Sequence, residues 1–257
     1  MKTLNKLILT FLLMFAVNIS AQGVFYLHGV SIPQKYQANF ESNEKEYFSK
    51  LAQDYVNSGK MQGWAVLKRV PRIGHAQDYK FNYFWVHGFE SIDQMVSAQA
   101  DPFWNKFESK FKKKPSELLK ESQSERSGTY YFKTYDQFST GQGKYVILND
   151  GKVKDIQMAL DMGKQTGKIF KKNSKKSGMK GWGVATVIAP QYKHNTSNVF
   201  YWDIYDTLAN AMKHMAGEAA ILDIPDEMAG KFYENLPDGF SHRNITCLLY
   251  TSDAADE

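Results

Sequence analysis

The phrase YFWVHGF at residues 83–89 concentrates side chains able to do chemistry in the length of one strand. In an extended chain alternate residues share a face, so Tyr83, Trp85 and His87 point one way and Phe84, Val86 and Gly88 the other. Near the start of the chain His28 stands between Tyr26 and Val30 on one face of VFYLHGVSI. If these two strands are antiparallel neighbours, His28 lies near Trp85 or His87. An imidazole titrates near neutral pH and can act as base, acid or ligand. Against indole and phenol rings it would form a wall for a flat apolar molecule. The same residues would also suit an ordinary core, with each histidine hydrogen-bonded locally.

Other candidates are more scattered. His214 in AMKHMAGEAA is a helical histidine flanked by methionines, while His75, His194 and His242 join no recognisable constellation. Asp203 falls on the face of Tyr201 and Tyr205, opposite Trp202 and Ile204, and would need partners if buried. The sequence contains no HExxH, CxxC, G-x-S-x-G or phosphate loop, and no spacing indicates a metal site. The glycines of GMKGWG lead into a strand, whereas a dinucleotide fingerprint leaves one and opens a helix. Net charge is +5, spread over lysine-rich helical stretches such as KIFKKNSKKSG. That distribution reads as solvated helix faces and gives no nucleic-acid partner.

The elements that would position these residues are spelled twice. KMQGWAV at residues 60–66 returns as GMKGWGV at 178–184, and FNYFWVHGFES is matched by NVFYWDIYDT. Trp64 to Trp182 is a step of 118 and Trp85 to Trp202 a step of 117, so the intervening loop is expected to differ by one residue. Each pair is rich in aromatic and β-branched residues bounded by turn formers. A helical pattern precedes each pair, with Tyr47, Phe48, Leu51 and Tyr55 on one face in the first copy and Val153, Ile156, Leu160 and Phe170 in the second. Ser91 and Thr207 are placed as N-caps of the following helices, Pro102 as the first residue of another. With strands VFYLHGVSI, KYVILND and GTYYFKTYDQF, each copy reads β-α-β-β-α-β, a ferredoxin-like motif. The predicted fold class is α+β: two tandem ferredoxin-like repeats, residues 22–138 and 139–246, with antiparallel sheets packed face to face as an α/β barrel.

The chain ends read differently. Residues 1–21 combine two lysines, an apolar run and a small residue at Ala21, which predicts a signal peptide and an exported, periplasmic or extracellular protein. The apolar run is shorter than the ~20 residues a membrane span needs, and no later segment predicts one. The closing CLLYTSDAADE holds the sole cysteine and back-translates into a sequencing-library adaptor in one open frame. Residues 247–257 are therefore expected to be a cloning or assembly artefact that cuts short the last strand. Without a native cysteine the protein rests on its apolar core.

Two such units, each with GW opening its second strand and an aromatic triplet in its third, resemble the dimeric α/β-barrel superfamily, in particular its NIPSNAP and antibiotic-biosynthesis-monooxygenase-like groups. The resemblance spans residues 23–246 and implies a small organic ligand held between the sheets. It also implies, for some members, haem, for which His214 is the candidate ligand here. Candidate ligand contacts are His28, Trp64, Trp85, His87, Trp182 and Trp202, around a small apolar or aromatic molecule. An oxygenase or isomerase of this fold and a purely structural or interaction module are the competing readings. No cofactor, catalytic residue or oligomeric state follows from the sequence.

Overall fold

The computed structural model describes residues 23–71, 81–100, 104–193, 195–218 and 223–252, with the backbone alone at 104 and 105. The proposed signal peptide, His75, His194, Pro102 and the last five residues lie outside this set.

The first half runs β1 (Val24–Ser31), α1 (Gln34–Asn43), a π-helical turn (Glu44–Phe48), α2 (Ser49–Asn57), β2 (Gly63–Arg69), β3 (Tyr83–Phe89), α3 (Ile92–Ala100), α4 (Trp104–Phe111), α5 (Pro115–Glu121) and β4 (Arg126–Ser139). The second runs β5 (Tyr145–Gly151), α6 (Ile156–Ser177), β6 (Met179–Ala189), β7 (Val199–Tyr205), α7 (Leu208–Met215), α8 (Asp226–Asn235) and β8 (Phe240–Thr251). Local chemistry sets several of these limits. Thr207 caps α7 by accepting from the Asn210 N–H, Asp155 caps α6 by accepting from Met158, and Ser91 Oγ accepts from Gln94. These caps satisfy backbone donors that a helix leaves free at its start. Gly178 ends α6 with φ at 70°, the left-handed turn its sequence context calls for.

All strand pairs are antiparallel, and the sheet closes in the order β1-β3-β2-β8-β5-β7-β6-β4. The two halves thus do not stack as separate sheets. They meet edge to edge at β2–β8 and β4–β6, and closure leaves none of the eight described strands with a bare row of N–H and C=O groups. Alternation along the strands then separates inside from outside. Phe25, Leu27, Leu67, Phe84, Phe132, Leu148, Val187 and Phe200 pack in one interior cluster, joined by Trp202 and Ile204. Helices cover the outer face, where Leu51, Tyr55, Trp64 and Phe107 form one cluster and Leu160, Phe170, Trp182 and Tyr205 another. Each fully buried side chain of this kind contributes roughly 1.5–3 kcal/mol. Among the described residues no helix is long and apolar enough to cross a membrane.

Two expectations need correction. Residues 247–251, expected to fall outside the last strand, extend β8: Cys247, Leu248, Tyr250 and Thr251 pair with Lys68, Leu67, Val66 and Ala65. Leu248 joins the interior cluster while Leu249 and Tyr250 pack outside, the change of face falling at the register shift opposite Val66 and Leu67. Trp85 and Trp202 are also not counterparts. Trp85 faces outward against helices, and Trp202 faces inward, 5.5 Å from the Phe25 ring. Strand pairing gives the reason: Trp64 lies across from His87 and Trp182 across from Asp203, so the matching step is 116 rather than 117. A slip of one residue turns every side chain to the other face.

Candidate functional site

Between the outer face of β1–β4 and the helices α1, α2 and α5 lies a cavity of about 440 Å³. Strand register assembles its floor. His28 on β1 stands across from Trp85 on β3 and from Thr129 on β4; one step along, Tyr26 stands across from His87 and Tyr131. Trp64 on β2 completes the row beside His87. His28 Nδ1 lies 2.6 Å from Thr129 Oγ1, and the ring sits 5.4 Å from that of Trp85. The His87 ring meets Tyr26 edge-on at 4.7 Å. Phe40, Phe48 and Ala52 close the helix side.

A carboxyl group unnoticed in the sequence belongs to this site. Glu44, 1 % exposed, opens the π-helical turn and accepts a hydrogen bond from Trp85 Nε1 at 2.9 Å through Oε2. Its Oε1 is buried with no partner, as are Trp64 Nε1 and Ser49 Oγ, all on the same cavity. Burial pushes the Glu44 carboxyl up to about 8, against the opposing pull of the Trp85 N–H, so it carries a proton at neutral pH. Burial also lowers the imidazoles, His28 below its ordinary value and His87, with His28 beside it, to about 3. The site is thus apolar, aromatic and uncharged at pH 7. The spacing Phe40, Glu44, Phe48 was the available trace of Glu44 in the sequence, a carboxylate four residues from an aromatic on either side and so on their helical face.

A second cavity of about 250 Å³ lies under α6, α7 and α8 against the outer face of the other half. Its chemistry is ionic. Asn149 Nδ2 donates to Asp203 Oδ2 at 2.7 Å, Arg243 Nε donates to Asn149 Oδ1 at 2.9 Å, and His214 Nε2 lies 3.7 Å from Asp203. Asp203, 3 % exposed, has the partners its burial demands. Burial lowers His214, partly offset by Asp203.

The sequence candidates therefore divide. His28, Trp64, Trp85 and His87 line the first cavity, Trp182 and His214 the second, and Trp202 belongs to the barrel interior. Both cavities lie outside the barrel, while the space between the sheets, where a ligand was expected, holds the interior cluster of aromatic and aliphatic side chains. Haem does not fit at His214. Its ring is boxed by Phe170 and Tyr205 at 5.9 and 5.7 Å and turned to Asp203. A porphyrin also exceeds a space smaller than the ~300–1,000 Å³ typical of ligand pockets.

No family model and no curated protein matches the sequence. Solved structures do match its shape. An anthrone oxidase-like protein superposes with a TM-score of 0.54 at 10 % identity, covering 90 % of this chain and 93 % of its own. A candidate monooxygenase from Lactobacillus acidophilus NCFM gives 0.51 at 13 %, covering 90 % and 94 %. A mutant chlorite dismutase from Candidatus Nitrospira defluvii gives 0.50 at 9 %, covering 91 % and 94 %. The chain shares the fold of these neighbours.

Proposed function

We propose that the protein binds a small, apolar, largely aromatic molecule in the first cavity. The observation that carries this reading is the enclosure of an uncharged, aromatic space of about 440 Å³ by His28, Trp64, Trp85 and His87, a volume within the usual ligand range of roughly 300–1,000 Å³. Native mass spectrometry of gently purified protein tests it. A retained small molecule, lost on filling the cavity with Ala52→Phe, is expected; a clean apo mass together with no binding of any aromatic probe would overturn it.

An oxygenase or isomerase acting in the same cavity is the second reading, favoured by fold neighbours described as monooxygenase and anthrone oxidase-like. Binding is preferred on electrostatic grounds. A general base works best with a pKa near the working pH, and His87 at about 3 is a weak one. Oxygen uptake on adding phenolic compounds, abolished in His28→Ala, would reverse the preference.

We read the two halves as diverged copies of one β-α-β-β-α-β unit, divided at residues 138 and 139, a reading supported by the parallel strand orders β4-β1-β3-β2 and β8-β5-β7-β6. The NIPSNAP-like grouping rests on that duplication. We also infer export through residues 1–21; fusing them to a reporter active only outside the cytoplasm is the test. Residues 247–257 are read as adaptor-derived, and resequencing the locus decides it.

A further inference from the structure

We propose that Glu44 sets the specificity of the first cavity, its carboxylic acid donating from Oε1 to an acceptor oxygen on an uncharged aromatic ligand, so that the site takes neutral aryl carbonyl compounds and rejects carboxylates. The inference rests on the cavity being a small-molecule site. Three polar atoms on its surface are buried without partners: Glu44 Oε1, Trp64 Nε1 and Ser49 Oγ. An indole N–H can only donate, and a protonated carboxyl whose other oxygen already accepts from Trp85 has a donor left to give. Groups of this kind inside an apolar enclosure remain costly until an acceptor arrives. Among the described residues no lysine or arginine lines the cavity, so a carboxylate entering it would lose its hydration with no counter-ion from them in return. The π-helical turn contributes directly, because the turn places Glu44 and Ser49 on the same cavity, and such turns recur at functional sites.

The same chemistry makes binding depend on pH. Sharing the cavity with Glu44 are His28 and Tyr26 from β1, His87 from β3 and Tyr131 from β4; Tyr250 of β8 is near enough to feel its charge, and one helical turn before it Glu41 is held by Lys68 and Tyr83. Both imidazoles are shifted down and Tyr26, Tyr83 and Tyr250 up, so these groups stay neutral while Glu44 loses its proton and turns from donor to acceptor.

Three probes of one shape separate the possibilities by calorimetry: 2-acetylnaphthalene, 2-ethylnaphthalene and 2-naphthoate. The wild type is expected to bind the acetyl compound at least about tenfold more tightly than either other probe, and to lose about tenfold of that affinity between pH 7 and 9 as the acid ionises. Glu44→Gln keeps a donor and should keep the preference without the pH dependence, and Glu44→Leu should bind the acetyl and ethyl compounds alike. Equal binding of those two by the wild type, or tighter binding of 2-naphthoate, overturns the role of Glu44 while leaving the cavity a binding site. Failure of the folded wild type to bind all three overturns both.

Discussion

Across β1, β3 and β4, His28 faces Trp85 and Thr129; across β5, β7 and β8, the corresponding positions hold Asn149, Tyr201 and Arg243. Opposite Trp64 stands His87, and opposite Trp182 stands Asp203. One strand geometry therefore carries an uncharged imidazole-and-indole surface in one half and a closed Asp–Asn–Arg network in the other. The helices differ too. Gly163 and Gly167 bring α6 onto the sheet so closely that a Cβ at Gly167 would lie 2.7 Å from Trp182 Cζ3, whereas α2 presents Ser49 and Ala52 to an open cavity. The comparison teaches that register fixes which positions look outward, while residue type and helix spacing decide whether those positions hold a ligand-sized space or satisfy one another.

The largest expected effect separates the two networks. Asp203→Ala leaves the buried Asn149 amide without its acceptor and loosens the side chain that in turn accepts from Arg243, and should cost about 3 kcal/mol in chemical denaturation. Thr129→Val, at the position matching Arg243, should cost only about 1 kcal/mol through the lost His28 contact. Equal losses would dissolve the contrast.

The next effect is a pH dependence specific to the first half. The Glu44 carboxyl is raised by folding, so the native state holds a proton that the unfolded chain has released, and its stabilisation fades as pH rises through about 8. At 1.36 kcal/mol per pKa unit, wild type should lose about 2 kcal/mol more than Glu44→Gln between pH 6.5 and 8. His242, raised by Asp150, contributes a fall of the same sign to both proteins, so the difference isolates Glu44. Parallel stability curves would show that Glu44 is ionised in the native state.

Smaller effects test helix spacing. Gly167→Ala should destabilise by about 1–2 kcal/mol despite alanine's better helix propensity, because the indole of Trp182 has no room to yield. Ser49→Ala, in the looser half, should change stability by no more than about 0.5 kcal/mol, since its hydroxyl gives up no partner. A gain in melting temperature for Gly167→Ala would mean that α6 is not pressed on the sheet.

Much of the first cavity was legible before any coordinates. Alternation put Tyr83, Trp85 and His87 on one face, and the antiparallel pairing of β1 with β3 set His28 directly across from Trp85. Glu44 was legible only as a carboxylate on the face of Phe40 and Phe48, not as a group aimed into a cavity, because its helix reads as continuous and the π-helical turn leaves no mark in residue type. The pairing of Trp85 with Trp202 failed because similar aromatic strings were matched by letter, and in a strand a single-residue error exchanges core for surface.

Period and composition alone determined the elements, their order and the inward or outward sense of most strand residues, because these depend on local backbone geometry and on burying apolar faces. Only the tertiary structure decided that the halves of the expected barrel join edge to edge at β2–β8 and β4–β6, that its interior is packed and that its cavities lie beneath the helices. Those outcomes depend on which strand edges meet and how near each helix comes to the sheet, distances set by side chains far apart in the chain.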